Sequence, residues 1–275
     1  MSFLSPANTI VGRTAETEAL LACLAAERHV LLEGPVGVGK TALAKSVCGA
    51  LGRPLFRVDG DGRYSEGKLV GFFDPPAVLA TGYRPEHFIP GPLVQAMRAG
   101  GVLFINELNR MPEGVQNVLL PALDERQIIV PHLGEVRAAR GFALVATQNP
   151  AEFVATGALS EALLDRFELV RLDYQSEPEE RAIVQQDCVT GPPASLVDAA
   201  VAMVRATRID PRIRRGASVR AAIALADIAH RLGGDLQRAA QLALPTRIEL
   251  VDPLATPIAG VLDDLAKKAA VAPPK

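Results

Sequence analysis

The stretch Gly34-Pro35-Val36-Gly37-Val38-Gly39-Lys40-Thr41 (GPVGVGKT) decides the fold of this 275-residue chain. It matches the pattern GxxxxGK[ST], in which glycines let backbone N–H groups turn inward around phosphate oxygens. Lys40 adds a positive charge for the β- and γ-phosphates, and Thr41 offers a hydroxyl to Mg²⁺. The stretch therefore predicts a loop that binds ATP with Mg²⁺, and an ordinary glycine turn is the alternative.

The segments on both sides of this loop have the patterns that such a loop requires. The apolar run His29–Glu33 (HVLLE) precedes it and predicts a buried strand, and the helical stretch Thr41–Leu51 follows it. A bound phosphate would then lie at a helix N-terminus, where free N–H groups and the helix dipole favour negative charge. The residues expected to contact the nucleotide are Gly34, Pro35, Val36, Gly37, Val38, Gly39, Lys40, Thr41 and Ala42.

Further apolar runs alternate with helical stretches through the first two thirds of the chain. These runs predict strands at Pro54–Asp59, Val102–Asn106, Phe142–Thr147 and Glu168–Asp173. Short apolar runs separated by helices are typical of buried parallel strands, so the predicted fold class is α/β with a five-stranded parallel sheet. A helix from about Ala15 to Glu27 is expected to lead into the sheet, with Thr14 as its N-cap.

The pattern changes after Asp173, where the chain becomes rich in alanine and leucine. Ser176-Glu177-Pro178-Glu179 predicts a capping box that opens a helix. Helical spacing without a clear strand continues to about residue 244, and Thr256-Pro257 predicts one more helix, to about Ala270. We therefore expect an α/β domain over residues 1–174 and an all-helical domain over residues 175–275.

Composition and charge argue against several classes of protein. The formal net charge of −2 gives no general attraction to nucleic acid, and no run of 18 uncharged apolar residues predicts a membrane span. The N-terminus lacks the pattern of a signal peptide. Cys23, Cys48 and Cys188 are odd in number and widely spaced, which favours a reducing cytosol over a disulfide frame or a metal site. We expect a cytoplasmic protein without nucleic-acid or membrane partners.

Two polar residues follow the third apolar run, VLFINE (Val102–Glu107). They would lie at the carboxyl edge of the sheet, where ligands bind in open α/β sheets. The usual pair there is Asp-Glu, in which the aspartate holds Mg²⁺ through water and the glutamate orients the attacking water. Asn106 offers an amide oxygen but no charge, so a lower Mg²⁺ affinity is expected. Glu107 keeps the role of general base, and incidental polar strand caps are the alternative.

The order of several short motifs resembles that of the MoxR-type AAA+ ATPases. The matching segments are the phosphate loop together with Ile10-Val11-Gly12-Arg13, INELNR (Ile105–Arg110), ATQNP (Ala146–Pro150), LLDRF (Leu163–Phe167) and GASVRA (Gly216–Ala221). The resemblance covers about residues 8–250, and its specificity lies in the joint order of the motifs. It implies a P-loop AAA+ core with strand order 5-1-4-3-2, followed by a helical lid.

The resemblance also implies a role for individual residues. Asn149 matches sensor 1, which lies between the γ-phosphate and the catalytic water. Arg166 matches the arginine finger, which reaches the γ-phosphate in a neighbouring subunit. Arg220 matches sensor 2, which projects from the lid onto ATP of the same subunit. Val11 and Gly12 match the segment beside the adenine. A turn asparagine and surface arginines are the alternatives.

Other arginines leave their roles open. Arg110 is either a residue that acts across a subunit boundary or a member of a structural ion pair. The stretch Arg205–Arg220 holds six arginines, for which subunit contacts or a solvated helix face are expected and a nucleic-acid patch is the alternative. Three of these compete with Arg220 for the sensor 2 role: Arg212, Arg214 and Arg215.

Two insertions resemble the helix-2 insert and the pre-sensor-1 hairpin of this branch of AAA+ proteins. The first is Leu69–Leu93, which is rich in glycine and proline. The second is Arg126–Arg140, which predicts two short strands around a His132–Glu135 turn. Such loops face the pore of a ring or a partner, and passive surface loops are the alternative.

The function that the resemblance implies is that of a chaperone-like ATPase. It would form a ring, expected to be a hexamer, and use Mg²⁺-dependent ATP hydrolysis to remodel or activate another protein. In this family the partner often has a von Willebrand factor A domain, and the process is often insertion of a metal or cofactor. Two alternatives remain: a nucleotide switch with little turnover because of Asn106, and a nucleic-acid translocase, since some helicases share the hairpin insertions.

Overall fold

The computed structural model describes residues 10–149, 158–254 and 256–271. These residues form two compact units that divide between Asp173 and Tyr174, and the loop segment Val36–Val38 groups with the second unit. The assignment of residues 1–174 and 175–275 to a nucleotide-binding domain and a lid stays a prediction. No helix in the described ranges is long and apolar enough to cross a membrane.

The first unit alternates strands and helices. Its described elements, besides 3-10 turns at Pro85–His87 and Leu108–Arg110, are α1 (Thr14–Ala25), β1 (His29–Glu33), α2 (Lys40–Ala50), β2 (Leu55–Asp59), α3 (Glu66–Val70), β3 (Gly71–Phe73), α4 (Pro75–Thr81), β4 (Phe88–Pro90), α5 (Pro92–Ala99), β5 (Val102–Asn106), α6 (Glu113–Asn117), α7 (Leu119–Asp124), β6 (Gln127–Val130), β7 (Gly134–Arg137), β8 (Ala143–Gln148), α8 (Glu161–Leu164) and β9 (Phe167–Arg171).

Five parallel strands form the central sheet, in the order β2-β5-β8-β1-β9. Counted in chain order among themselves, these strands have the order 5-1-4-3-2, so the predicted fold class is confirmed. The inner strands β1, β5 and β8 consist almost wholly of buried residues, as expected for strands covered on both faces. Their carboxyl ends lie at one edge of the sheet, and this edge carries the polar residues considered below.

The prediction that Thr14 caps the first helix is wrong. Helix α1 begins at Thr14, and the capping position belongs to Arg13, which has a left-handed backbone (φ 64°, ψ 26°) and no side-chain capping bond. The Arg13 guanidinium instead pairs with Glu16 at 2.6 Å and donates to the backbone oxygen of Asp173. These contacts hold the chain in a reversal directly before the helix, so the helix starts one residue earlier than its sequence pattern predicts.

The second unit is mainly helical. Its described elements are α9 (Glu177–Asp187), α10 (Ala194–Thr207), β10 (Ile213–Arg215), α11 (Val219–Arg231), α12 (Leu236–Ala243), β11 (Glu249–Leu250) and α13 (Ile258–Val271). The predicted capping box is present, with the Ser176 N–H donating to the Glu179 carboxylate at 2.8 Å. The absence of strands is a wrong prediction, because β10 and β11 pair antiparallel. Strands this short and this far apart in the chain have no local alternating pattern.

The two insertions form antiparallel pairs, β3 with β4 and β6 with β7. The turn of the second lies at residues 131–133, slightly before the predicted position, because His132 takes a left-handed conformation (φ 62°). Its imidazole stacks on the Tyr83 ring with centroids 3.8 Å apart, and it also meets Phe73 edge-on. The two insertions therefore share one aromatic contact surface.

A buried histidine makes the stability of the first unit depend on pH. His29 is 7% exposed, its Nδ1 accepts from the Leu144 N–H at 3.0 Å, and its Nε2 lies 3.3 Å from the Leu123 carbonyl oxygen. Burial, helped by the charges of Arg126 and Arg28, lowers the pKa of His29 from 6.5 to about 4. The neutral ring is therefore the form that the fold stabilises.

We expect stability to fall between pH 6.5 and pH 4, because in this range the unfolded chain protonates His29 and the folded chain does not. Each pKa unit corresponds to about 1.4 kcal/mol, so the loss is about 3 kcal/mol. Denaturant unfolding at pH 7 and pH 4 should show this loss in the parent chain and a smaller one in His29→Gln. His230→Gln, at an exposed position, is the control. Equal pH dependence of parent and His29→Gln would contradict the prediction.

Candidate functional site

The phosphate loop joins β1 to α2, and the side chain of its lysine folds back over the loop. Lys40 Nζ donates to the carbonyl oxygens of Gly34 at 2.6 Å and Pro35 at 2.9 Å. Helix α2 begins at Lys40 itself. These bonds hold the ammonium group beside the loop and the first turn of the helix, where it can pair with a bound anion.

The backbone of the loop has the conformation of an open cradle. Gly37 and Gly39 have φ values of 80° and 93°, in the left-handed region that favours glycine. A Cβ atom on Gly39 would meet nothing within 4 Å. Within the described residues, the N–H groups of Gly39 and Thr41 donate to no backbone acceptor. Free N–H groups beside a fixed ammonium suit a polyanion such as the phosphates of ATP.

The start of the loop is fixed against the end of β9. A Cβ atom on Gly34 would lie 2.1 Å from the Leu172 carbonyl oxygen, so no larger residue fits there. The Leu172 N–H donates to the Glu33 carbonyl oxygen at 2.8 Å. The Glu33 carboxylate accepts from Gln148 at 2.7 Å and from Arg171 at 3.2 Å. The loop therefore begins at a point that three neighbouring strands hold in place.

Asn106 lies in a hydrogen-bond network that sequence reasoning missed. Its Nδ2 donates to Asp59 at 3.1 Å, and its Oδ1 accepts from the buried Thr147 hydroxyl at 3.0 Å. Arg57 lies two residues before Asp59 on β2, and its hydrogen bonds lower the pKa of the Asp59 carboxyl. The signal that could have found these residues is that Asp59 and Thr147 each end an apolar run, as Asn106 does.

The backbone at Glu107 is held from two sides. Its N–H donates to the Thr147 hydroxyl at 2.9 Å, and a Cβ atom on Gly60 would lie 2.1 Å from the Glu107 carbonyl oxygen. Glu107 itself has a left-handed conformation (φ 57°, ψ 53°). Its carboxylate is about one third exposed and pairs with Arg110 at 3.0 Å. The local ion pair considered for Arg110 is thus present, and action of Arg110 across a subunit boundary stays a prediction.

Asn149, Val11 and Gly12 are predicted site residues outside the regular elements. Asn149 is buried directly after β8, and Pro150, which completes its motif, lies outside the described residues. Val11 and Gly12 are half-buried ahead of α1. Gly12 has φ 68°, so it takes part in the reversal before this helix.

Arg166, the residue matched to the arginine finger, follows α8 and makes a two-pronged ion pair with Asp124. Nε and Nη2 each lie 2.6 Å from a carboxylate oxygen. A further bond goes to the Ala162 carbonyl oxygen. Asp124 holds the guanidinium in one direction, partly exposed to solvent.

The second unit holds Arg220 and the arginine-rich stretch. Five of its six arginines form ion pairs, namely Arg205 and Arg208 with Glu180, Arg212 with Asp210 and Asp264, and Arg214 and Arg215 with Glu249. Arg220 is exposed and forms no ion pair within the described part of the chain. The three arginines that compete for the sensor 2 role are therefore engaged in ion pairs. Arg220 has no such pair within the described residues.

The side chains at the sheet edge suit a hard cation more than a soft one. Among the described residues, no group of three histidine, cysteine, aspartate or glutamate residues could hold a metal ion by itself, and Cys23, Cys48 and Cys188 form no disulfide. The predicted metal residues, Thr41 and Asn106, offer hydroxyl and amide oxygens. Mg²⁺ is usually held by one or two protein groups together with substrate phosphates, so the residues present fit this ion.

A family model covers the segment that carries most of these residues. The model for the AAA domain, dynein-related subfamily, matches residues 29–167, about half of the chain. The chain belongs to this AAA domain family. By family it is therefore an AAA+ ATPase.

Curated relatives of this AAA+ ATPase include uncharacterized proteins of two staphylococci. The protein of Staphylococcus haemolyticus is 34% identical over 173 residues, which cover 58% of this chain and 65% of the relative. The protein of Staphylococcus aureus is 33% identical over 168 residues, which cover 58% of this chain and 63% of the relative. The chain thus spans slightly less than two thirds of the length of these relatives.

Solved structures of similar fold include a candidate ATPase from Cytophaga hutchinsonii. It has a TM-score of 0.51 and 22% identity, and the match covers 95% of this chain and 91% of that one. A variant of RuvB from Thermotoga maritima has a TM-score of 0.56 and 18% identity, and the match covers 84% of this chain and 70% of that one. Likeness at these identities shows the P-loop AAA+ fold alone.

Proposed function

We propose that this AAA+ ATPase is a MoxR-type, chaperone-like enzyme of the cytoplasm. It assembles as a ring, a hexamer, and uses Mg²⁺-dependent ATP hydrolysis to remodel or activate a protein partner with a von Willebrand factor A domain, with insertion of a metal or cofactor as the process served. AAA+ proteins are generally ring-forming, which supports the assembly. The proposal of a protein partner is supported by the exposed apolar side chains on the two insertions, which are described below.

The phosphate loop and the carboxyl edge of the sheet divide the chemistry. Lys40 neutralises phosphate charge, and Thr41 and Asn106 are the residues that would hold Mg²⁺. Bound Mg²⁺ would supply further neutralisation of the charge on the phosphates. Glu107 orients the attacking water and takes its proton as general base. Since the Glu107 carboxylate pairs with Arg110 in this structure, that pair must open for the carboxylate to act.

The remaining site residues act on the γ-phosphate and the base. Asn149 is proposed as sensor 1, and its burial at the end of β8 supports a fixed position for its amide. Arg166 is proposed as the arginine finger for a neighbouring subunit. To act there, its guanidinium must leave Asp124 and bind the γ-phosphate in that subunit. Arg220 is proposed as sensor 2, supported by its freedom from ion pairs within the described residues. Val11 and Gly12 are proposed to contact the adenine.

The structure favours a protein over a nucleic acid as partner. The arginine-rich stretch, which was the main candidate for a nucleic-acid patch, has five of six guanidiniums paired with carboxylates. Paired arginines contribute little attraction to phosphates, because each would first have to leave its carboxylate. The ion pairs in this stretch therefore weaken the support for the translocase alternative.

An exposed apolar surface on the insertions supports a protein partner. We define the insertion surface as Phe72, Leu79, Tyr83, Ile89 and Ile129, all of them exposed. Leu79 and Ile129 have exposures of 89% and 81%, which is costly for large apolar side chains unless a partner covers them. The stack of Tyr83 on His132 joins the two insertions, so both can contact one partner.

The chain should retain its partner in a nucleotide-dependent way. Immobilised Glu107→Gln chain should hold a protein with a von Willebrand factor A domain from a lysate in ATP and release it in ADP. Leu79→Ser combined with Ile129→Ser should reduce retention at least about tenfold, the scale of losing an apolar contact centre. Leu254→Ser, at an equally exposed leucine of the second unit, is the control. The proposal would be contradicted if the partner were retained equally in ATP and in ADP. It would also be contradicted if the double variant retained as much partner as the chain without these two substitutions.

A further inference from the structure

Three hydrogen bonds join four residues at the carboxyl edge of the sheet, and all three donate in one direction. The Glu107 N–H donates to Thr147 Oγ1 at 2.9 Å, and the Thr147 hydroxyl donates to Asn106 Oδ1 at 3.0 Å. Asn106 Nδ2 then donates to Asp59 Oδ1 at 3.1 Å. A carboxylate only accepts, so the series ends at Asp59. The neighbours on both sides thereby determine which way the Asn106 amide points.

The series explains why position 106 holds an amide instead of the expected carboxylate. Asp59 and Asn106 are direct partners in the parallel register of β2 and β5. An aspartate at position 106 would place a second carboxylate where the Asn106 amide now donates to Asp59, and adjacent like charges repel. The pair carries a single negative charge, and this charge lies on β2 instead of β5.

We propose that Asp59 supplies the negative charge that position 106 lacks and, through Asn106 and Thr147, positions Glu107. Asp59 is a positioning residue, because it acts on the base through its neighbours. Arg57 pairs with it at 2.8 Å, yet both side chains are about half exposed, so solvent screens the pair and the carboxylate keeps part of its field. The inference rests on the proposed Mg²⁺-dependent hydrolysis at this site.

Nucleotide affinity measured with and without Mg²⁺ tests the proposal independently of turnover. Binding of a fluorescent ATP analogue is titrated in excess chelator and in saturating Mg²⁺. Asp59→Asn should leave affinity in chelator unchanged and reduce the Mg²⁺-dependent gain about fivefold, the scale of one solvent-screened charge at close range. Asp59→Asn combined with Asn106→Asp returns one charge to the pair and should restore the gain. Asp61→Asn, which removes an exposed charge bonded to the Arg63 N–H, should leave the gain unchanged.

Thermal unfolding gives a second readout that does not depend on nucleotide. Asn106→Asp alone should lower the melting temperature without Mg²⁺, and adding Asp59→Asn should restore it. The proposal is overturned if Asp59→Asn keeps the full Mg²⁺-dependent gain. It is also overturned if adding Asn106→Asp to Asp59→Asn does not restore that gain, or if adding Asp59→Asn to Asn106→Asp does not restore the melting temperature. If Mg²⁺ does not change nucleotide affinity in the unsubstituted chain, the proposed magnesium site is overturned as well, and this outcome separates the two failures.

Discussion

Lys40→Ala is expected to reduce ATP affinity by about a hundredfold or more, so that binding is no longer detected by calorimetry. The Lys40 ammonium is held beside the loop by the carbonyl oxygens of Gly34 and Pro35. Without it, the loop itself presents only backbone dipoles to the phosphate charge. Charge-assisted hydrogen bonds contribute up to about 3 kcal/mol each, which corresponds to about two powers of ten in affinity.

The matched control for this substitution is Lys45→Ala. Lys45 lies on the same helix, α2, at an exposed position, so its removal changes net charge equally without touching the loop. Melting temperatures of both variants are measured alongside, so that a change in ATP affinity can be told apart from a change in folding. An unchanged dissociation constant in Lys40→Ala would contradict the assignment of the phosphate loop.

Arg166→Ala is expected to keep ATP affinity and lose turnover by about a thousandfold, the scale known for arginine fingers. The reason is that the guanidinium would complete the site of the neighbouring subunit and stabilise charge there only in the transition state. Glu107→Gln should likewise bind ATP and hydrolyse it about a hundredfold more slowly, as expected for loss of a positioned base. Steady-state phosphate release measures both effects.

Mixing the two inactive chains separates action between subunits from action within one subunit. In mixed rings, some sites combine an intact Glu107 with an intact Arg166 from the neighbour, so activity should return and increase with protein concentration. Arg28→Ala, which breaks a comparable exposed ion pair with Glu168, should keep its turnover when tested alone. Mixed rings that form without regaining activity would show that Arg166 is not the finger, and Arg110 would be tested next.

The features that the sequence predicted well are those encoded by neighbouring residues. The residues of the phosphate loop are contiguous in the chain. The role of each one follows from its own backbone conformation or side-chain chemistry, so the sequence alone predicts it. The apolar runs predicted all five strands of the central sheet to within one or two residues, because burial on both faces demands unbroken apolar stretches. The strand order was implied by family resemblance, since periodicity contains no information about which strands lie side by side.

The sequence by itself determined the phosphate loop, the parallel sheet and the capping box that opens the second unit, because each depends on residues a few positions apart. Only the tertiary structure decided the partners of Asn106, which are 47 and 41 positions away, the pairing of β10 with β11, and the engagement of five arginines in ion pairs. Apart from the pair of Arg212 with Asp210, which is only two positions away, these contacts depend on where packing places distant segments, and no local pattern predicts them. The placement of a single charge on Asp59 belongs to this second group.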